Sequence, residues 1–167
     1  MRLIYAGLPA VVAAMALSFA PAAFADAKSD AVATITKFIT AFNKGDQAAA
    51  NATHTSDASI VDEVPPHAWS GAKALDAWSA DFDKNAKTEG VTDPLVKISK
   101  PTRALVEGDS AYIIVPAAYT YKQKGKPMIE NGQMTFALRK GSDGWKISAW
   151  TWSGPNPHAV TAKKKTN

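Results

Sequence analysis

The sequence contains no cysteine among its 167 residues. This absence excludes disulfide bonds, catalytic thiols, thiolate metal sites and attachment of a lipid through cysteine. The chain also lacks a glycine-rich phosphate loop, a nucleophile elbow and any dinucleotide fingerprint, so we expect no cofactor. The stability of the folded domain must therefore come from the packing of its apolar residues.

An excess of charge of one sign is also missing from most of the chain. Removing Arg2 from the 19 basic residues leaves 18 against 15 acidic ones, and the run Lys163-Lys164-Lys165 accounts for the difference. The other basic cluster, at residues 122–126, has the composition of a solvated hairpin turn. A nucleic-acid-binding face needs basic residues concentrated together, so we expect no nucleic-acid partner.

Long apolar runs are absent except at the N-terminus. Arg2 precedes an apolar stretch over residues 3–20, and Ala23-Phe24-Ala25 supplies a small-x-small cleavage site. This pattern is typical of a signal peptide. We therefore expect residues 1–25 to be removed near Ala25 and the protein to be exported, either to the periplasm or out of the cell.

The alternative for the same stretch is an uncleaved membrane anchor. Pro9 and Pro21 interrupt the apolar run, which disfavours that interpretation. We expect no stable membrane insertion after cleavage. The mature chain, residues 26–167, has a length typical of one domain with a real core.

The first half of the mature chain has the apolar spacing of helices. Residues 31–42 carry apolar side chains three and four positions apart, and Asn43-Lys44-Gly45-Asp46 ends that helix and caps the next. A short alanine-rich helix is predicted at residues 47–54, and a third helix at residues 72–87. A short strand at residues 57–62 separates these two helices.

The second half of the mature chain has the sequence pattern of β-strands. Four runs separated by strong turn sequences predict long neighbouring strands, at residues 95–106, 111–121, 128–140 and 145–153. Helices followed by an antiparallel meander predict an α+β fold in which helices cover one face of the sheet. Pro116 predicts a bulge or an edge in the second long strand. Residues 154–167, with two prolines and a lysine run, are predicted to form a disordered basic tail.

Three segments carry a resemblance to a known family, together with the order of the elements. They are residues 57–62, the turn Trp69-Ser70-Gly71, and the closing stretch 143–153, which contains Asp-Gly-Trp-Lys-Ile and Trp-Ser. The chain resembles the nuclear-transport-factor-2-like superfamily over residues 30–153. Ketosteroid isomerases and SnoaL-like polyketide cyclases belong to this superfamily.

The resemblance implies a fold more strongly than it implies an activity, since many functions share this fold. The implied fold is a single α+β domain over residues 26–153. In it, a cone-shaped, curved antiparallel sheet wraps around N-terminal helices, as in a cystatin-like roll. Members often dimerise through the sheet, which makes a homodimer one option for this chain.

Position by position, the resemblance places Asp62 where the isomerases keep the carboxylate that moves a proton between carbons. Phe38 stands where they place a tyrosine that hydrogen-bonds the enolate, and Met134 and Phe136 lie on the strand that carries their second oxyanion acid. Both oxyanion donors are thus replaced by apolar side chains. Because such donors contribute strongly to catalysis, steroid isomerisation by that mechanism is not expected.

Asp62 ends a strand, and period-two alternation would send Ile60 to its face of the sheet and Val61 and Glu63 to the opposite face. Apolar and aromatic residues that could share a cavity with Asp62 are Phe38, Ile60, Trp78, Tyr112, Met134, Phe136, Trp150 and Trp152. Ordinary core packing is the alternative for each of them. As a set they predict an apolar ligand pocket.

Two residues are candidates for catalysis. Asp62 is either an acid in the pocket or a surface carboxylate paired with lysine. His54 is either its catalytic partner across the cavity mouth or a structural histidine. The spacing of His54, Asp57, Asp62 and His67 matches no metal motif, so no metal site is expected.

Two functions remain open from the sequence. The first is an exported binding module for a small, largely apolar ligand. The alternative is an acid/base lyase, isomerase or cyclase that uses Asp62, with His54 or Tyr112 assisting. A buried Asp62 with a hydrogen-bonding partner at about 3 Å would favour catalysis, whereas an Asp62 in water paired with lysine would favour the binding module.

Overall fold

The computed structural model describes residues 20–160, with side chains from residue 26 onward. Its helices are α1 (Ala20–Lys44), α2 (Gln47–Ala52) and α3 (Ala74–Glu89). The strands are β1 (His54–Val61), β2 (Ala68–Ser70), β3 (Val91–Ile98), β4 (Arg103–Glu107), β5 (Ser110–Gln123), β6 (Lys126–Gly141), β7 (Gly144–Ser153) and β8 (His158–Ala159). Residues 1–19 of the predicted signal peptide and residues 161–167 of the predicted tail lie outside the described part.

One curved, unclosed sheet carries the fold. Its strands follow the order β2-β1-β7-β6-β5-β3, with β4 added to β5 and β8 added to β6. All pairs are antiparallel except β1 with β7, which is parallel. The three helices cover the inner face, which confirms the predicted α+β class with helices on one side of the sheet.

The core lies between α1 and the central strands. Ala31, Ile35 and Phe38 on α1 are buried three and four residues apart, as the apolar spacing predicts. They meet inward-facing residues of the central strands, such as Phe136 and Ile147, which are also fully buried.

Two reciprocal hydrogen bonds between a side-chain amide and the backbone connect the end of α1 to the sheet. The Asn43 side-chain amide donates to the Val96 carbonyl at 2.8 Å, and the Val96 backbone N–H donates to the Asn43 side-chain oxygen at 2.9 Å. These bonds hold the helical layer over β3 and close the cone on that side.

Two strand predictions were wrong: the short strand begins at His54, which was assigned to the second helix, and one of the long strands is divided. The first long strand, expected at residues 95–106, is broken into β3 and β4 by a stretch that contains Pro101. Both pieces pair with β5, and Pro116 lies opposite the gap between them. The ladder between β5 and β6 is continuous through Pro116, so there is no bulge at this residue. On its other side β5 has no ladder partner at Pro116, so the strand is locally an edge there.

The tail also differs from the prediction. Residues 154–160 are described and end in β8, which pairs with Met128 and Ile129 of β6. The Val160 backbone N–H continues this contact by donating to the Pro127 carbonyl at 3.0 Å. The prediction of disorder is therefore wrong for this stretch, because β6 extends beyond β7 and offers it a free edge to pair with.

Candidate functional site

A small cavity lies between the helices and the inner face of the sheet. It has a volume of about 50 Å³. Its lining consists of seven aromatic residues, three aliphatic ones and two acids, namely Phe38, Phe42, Trp78, Phe82, Tyr119, Trp150, Trp152, Ile39, Val96, Met134, Asp62 and Glu63. The wall is therefore almost wholly apolar, and carboxyl groups supply its strongest polar features.

The aromatic rings are packed against one another rather than spread over the wall. Trp78 is central: its ring lies 5.0 Å from that of Trp150, 5.5 Å from Phe82 and 5.8 Å from Phe42. Phe38, Phe42, Trp78 and Phe82 also line a groove of about 790 Å³ between the helices and the start of β3. These four rings thus separate the cavity from an open groove.

Five of the eight residues predicted to line the pocket do so, namely Phe38, Trp78, Met134, Trp150 and Trp152. Ile60 and Phe136 do not line it, because they are fully buried in the core. The prediction for Tyr112 was wrong, since this side chain is 43% exposed. Its neighbours Ala111 and Ile113 point inward, and strand alternation therefore sends Tyr112 to the outer face.

Asp62 lies one residue beyond β1 and reaches the cavity. The Trp78 indole N–H donates to one of its carboxylate oxygens at 2.9 Å, and the Val64 backbone N–H donates to the other at 3.3 Å. Burial raises the pKa of Asp62, and these hydrogen bonds oppose that rise. Asp62 forms no ion pair with lysine among the described residues.

His54 does not reach Asp62. The two residues stand at opposite ends of β1, and a strand advances about 3.3 Å per residue. The Nδ1 atom of His54 bonds instead to the Ala50 carbonyl and the Thr53 hydroxyl, each at 3.0 Å. Burial lowers the pKa of His54 to about 4, so the ring is neutral and its role is structural.

Glu63 was placed on the opposite face by strand alternation, and this was wrong. β1 ends at Val61, so alternation no longer applies, and Glu63 lines the cavity beside Asp62. Although Glu63 as a residue is exposed, its carboxyl group lies near that of Glu130. Burial, together with the nearby carboxyls of Glu130 and Asp62, raises the pKa of Glu63 to about 7.

Glu130 is the functional candidate that sequence reasoning missed. This residue of β6 is only 1% exposed. Its Oε1 atom accepts a hydrogen bond from the Trp152 indole N–H at 2.9 Å, and its Oε2 atom has no hydrogen-bond partner among the described residues. The available clue was parity, because Glu130 shares the inward-facing alternation of Met134 and Phe136.

Tyr119 brings a hydroxyl group into this apolar wall. Its ring stacks on Tyr121 at 4.8 Å and lies 6.4 Å from Trp152. Burial raises the pKa of Tyr119, and Tyr121 and the carboxylates of Asp62, Glu63 and Glu130 raise it further. The phenol is therefore protonated and able to donate a hydrogen bond near the acids.

Within the part of the chain that the structure describes, no group of three or more His, Asp or Glu side chains has a geometry suited to a metal ion. Between residues 20 and 160, no helix is both long and apolar enough to cross a membrane.

A helix-covered, curved sheet enclosing an aromatic cavity with acids at its rim defines a nuclear-transport-factor-2-like fold. Residues 31–157 match the model of a family described as the SnoaL-like domain. The chain belongs to this family, and the predicted resemblance is confirmed.

Solved structures agree with this assignment. A ketosteroid isomerase-like protein from Erwinia carotovora atroseptica is 25% identical, with a TM-score of 0.60 over 78% of this chain and 97% of that one. A nuclear transport factor 2-like protein with a cystatin-like fold, from Novosphingobium aromaticivorans, is 16% identical, with a TM-score of 0.65 over 80% and 84%.

A hexachlorocyclohexane dehydrochlorinase also has this fold. It is 12% identical, with a TM-score of 0.66 over 87% of this chain and 95% of that one. At that identity the likeness concerns the fold alone. A search of curated proteins found no match to this chain.

Proposed function

We propose that the protein binds a small, largely apolar molecule in the aromatic cavity. The observation that carries this proposal is the lining itself, in which seven aromatic and three aliphatic side chains surround one space together with two acids. Binding sites for small molecules are typically apolar clefts with a few placed polar groups. The volume of about 50 Å³ limits the enclosed part of the ligand to a few heavy atoms, unless rings such as Phe82 move.

Trp152 is the side chain to remove in a test. It lines the cavity and lies at an edge-on angle to Tyr119. We expect a panel of small hydrophobic molecules to raise the melting temperature of the protein. Trp152→Ala should weaken the affinity for the best of them on the order of tenfold, since one large aromatic contact is lost.

The matched control is Tyr112→Ala, which removes an aromatic side chain on the outer face of the sheet. It should leave the ligand-induced shift unchanged. Comparing the shift, rather than the melting temperature itself, separates ligand binding from any loss of stability in the variant. A broad panel that produces no shift in the unmodified protein would count decisively against the proposal.

Acid/base catalysis in the same cavity is a second candidate, and the environment of Asp62 favours it. The carboxylate is partly buried, carries a raised pKa and has a hydrogen-bonding partner at 2.9 Å. Asp62 is thus not a surface acid paired with lysine. Perturbed acids in apolar cavities are frequent at catalytic sites.

The two isomerase-type oxyanion donors are absent, because the residues at those positions, Phe38, Met134 and Phe136, have no hydroxyl or carboxyl group. Two other donors are available in the cavity lining. One is the phenol of Tyr119, and the other is the indole N–H of Trp150, which is buried without an acceptor among the described residues. In this candidate, Asp62 takes the proton and one of these groups stabilises the developing negative charge.

Asp62→Asn tests the catalytic candidate once a turned-over substrate is found. A general base contributes about 10²–10⁴-fold to the rate, and kcat should fall by that order. Phe42→Leu, which alters the cavity wall but removes no donor or acid, serves as the comparison. An Asp62→Asn variant with unchanged kcat would eliminate the catalytic candidate and leave binding.

We further propose that the protein is exported and acts without a nucleic-acid partner or a stable membrane insertion, on the sequence features given above. A homodimer through the outer face of the sheet is proposed with it. Leu105 and Tyr112 face each other across the pair β4–β5 and are 42% and 43% exposed. Native mass spectrometry of the exported protein would report a co-purified ligand and the oligomeric state together, and a monomer at all concentrations would contradict the dimer.

A further inference from the structure

Two carboxyl groups line one end of the cavity and a third lies beside them, and none of the three forms an ion pair among the described residues. Asp62 and Glu63 line the cavity, and Glu130 is not part of the lining but lies close enough to Glu63 to raise the pKa of that carboxyl group. Among residues 26–160, the ion pairs are Lys122 with Asp93 and Arg139 with Asp57, and both lie on exposed side chains. His67, a basic residue beside Asp62, is exposed and its ring contacts the Asp62 backbone oxygen.

The burial of Glu130 is built into the fold. Gly154 passes so close that a Cβ atom there would lie 1.9 Å from the Glu130 Oε1 atom. The same oxygen accepts the Trp152 indole N–H, while Oε2 is left without a donor among the described residues. A buried oxygen without a donor is costly, so a partner for it is expected.

Without a ligand, a proton can meet part of this need. Because its pKa is raised to about 7, Glu63 is partly protonated near neutral pH, which reduces the negative charge beside Glu130. An ammonium group can replace that proton. It carries a full positive charge and three N–H donors, which matches the carboxyl of Glu63 and the free oxygen of Glu130.

The surroundings of the acids suit an organic cation better than a metal ion. Tyr119, Tyr121 and Trp152 lie around the acid pair, and aromatic faces attract alkylammonium groups. The acids do not form a group with metal-binding geometry within the described residues. Glu63, Phe82 and Tyr119 also line a second groove of about 100 Å³, through which Glu63 can be reached from solvent.

We propose that the ligand is a small primary amine, whose ammonium group binds Glu63 and Glu130 while its apolar part lies among the aromatic rings. This inference rests on the proposed binding function and names the polar group of the ligand. It predicts a preference for a cation over a neutral molecule of equal size, and a stronger preference over an anion.

The test is an NMR titration of the purified protein at pH 7.5 with n-butylammonium, 1-butanol and butyrate. We expect n-butylammonium to bind about tenfold more tightly than 1-butanol, and butyrate to bind more weakly than either. Glu63→Gln and Glu130→Gln should each reduce the preference for the amine to about twofold or less, with little effect on 1-butanol. The two variants are complementary. Glu130 is buried, so its replacement can affect folding, whereas Glu63 is exposed and its replacement leaves the buried site unchanged.

Glu107→Gln is the matched control, since it removes one acid at the exposed end of β4 and should keep the full preference. Equal affinities for n-butylammonium and 1-butanol would overturn the inference while leaving the proposed binding of apolar ligands intact. A preference that survives in both Glu63→Gln and Glu130→Gln would also overturn it. If none of the three probes binds, both the inference and the proposed function lose their support.

Discussion

Three carboxyl groups lie in or beside the apolar cavity, and each is positioned differently. They belong to Asp62, Glu63 and Glu130. Asp62 arrives at the end of a strand whose inward residues are apolar, and this position was predictable from the sequence. Glu63 reaches the same space because the chain turns directly after β1. Glu130 is held in the interior by Trp152 and by the closeness of Gly154, contacts between segments distant in the sequence.

Glu63 should make the stability of the protein depend on pH. Its folded pKa of about 7 lies above the ordinary value of 4.5, so the folded state binds the proton more tightly. This contribution is fully present below about pH 4.5 and is lost as the pH rises through about 7. Because Glu63 is exposed in part, we expect only about 1 kcal/mol after solvent screening.

Comparing the unmodified protein with Glu63→Gln isolates the contribution of Glu63 to the free energy of unfolding, since other titrating groups, including His54, are common to both. Urea unfolding at several pH values from 4.5 to 8 gives the two free energies of unfolding. The unmodified protein should lose stability relative to the variant across this range. A difference that stays constant with pH would show that Glu63 does not retain its proton in the folded state.

At the scale of elements, the sequence predicted most of the helices and strands whose positions depend on local sequence patterns. The apolar spacing of α3 and the turns between β5, β6 and β7 placed these elements close to their observed bounds. The end of α1 was also predicted, but this helix begins at Ala20, well before the predicted stretch at residues 31–42. The break between β3 and β4 was missed, although Pro101 marks it. Pro116 was predicted to mark a bulge or an edge, and it lies opposite that break, where β5 is locally an edge.

The two shortest strands lay beyond such reasoning. β2 has three residues and β8 has two, too few for a periodic pattern to be recognised. β8 forms because β6 is longer than β7 and leaves an edge at Met128 and Ile129. Tyr112, in contrast, was mispredicted despite a clear pattern, because an aromatic residue on a strand was taken as inward-facing without checking the parity of Ala111 and Ile113.

At the scale of the whole molecule, the fold is carried by residues that follow the proposed cleavage site. α1 begins at Ala20 and runs through Ala25 without a break. The described α1 side chains that pack in the core begin at Ala27, and the first fully buried ones are Ala31 and Ile35. The family match likewise begins at residue 31. Cleavage near Ala25 would therefore shorten α1 and leave the core contacts from Ala27 onward in place.

Export and folding can then be tested together. The chain recovered from the periplasm or the medium should begin at Asp26, as read by N-terminal sequencing, and an acidic residue in the new first turn of α1 favours the helix dipole. A protein comprising residues 26–167 should unfold cooperatively. A chain that starts at Thr36 is the control, because it also lacks Ala31 and Ile35 and should lose about 3 kcal/mol or more. Retention of residues 1–25 on the recovered protein would contradict cleavage, and failure of residues 26–167 to fold would show that the start of α1 is needed for the domain.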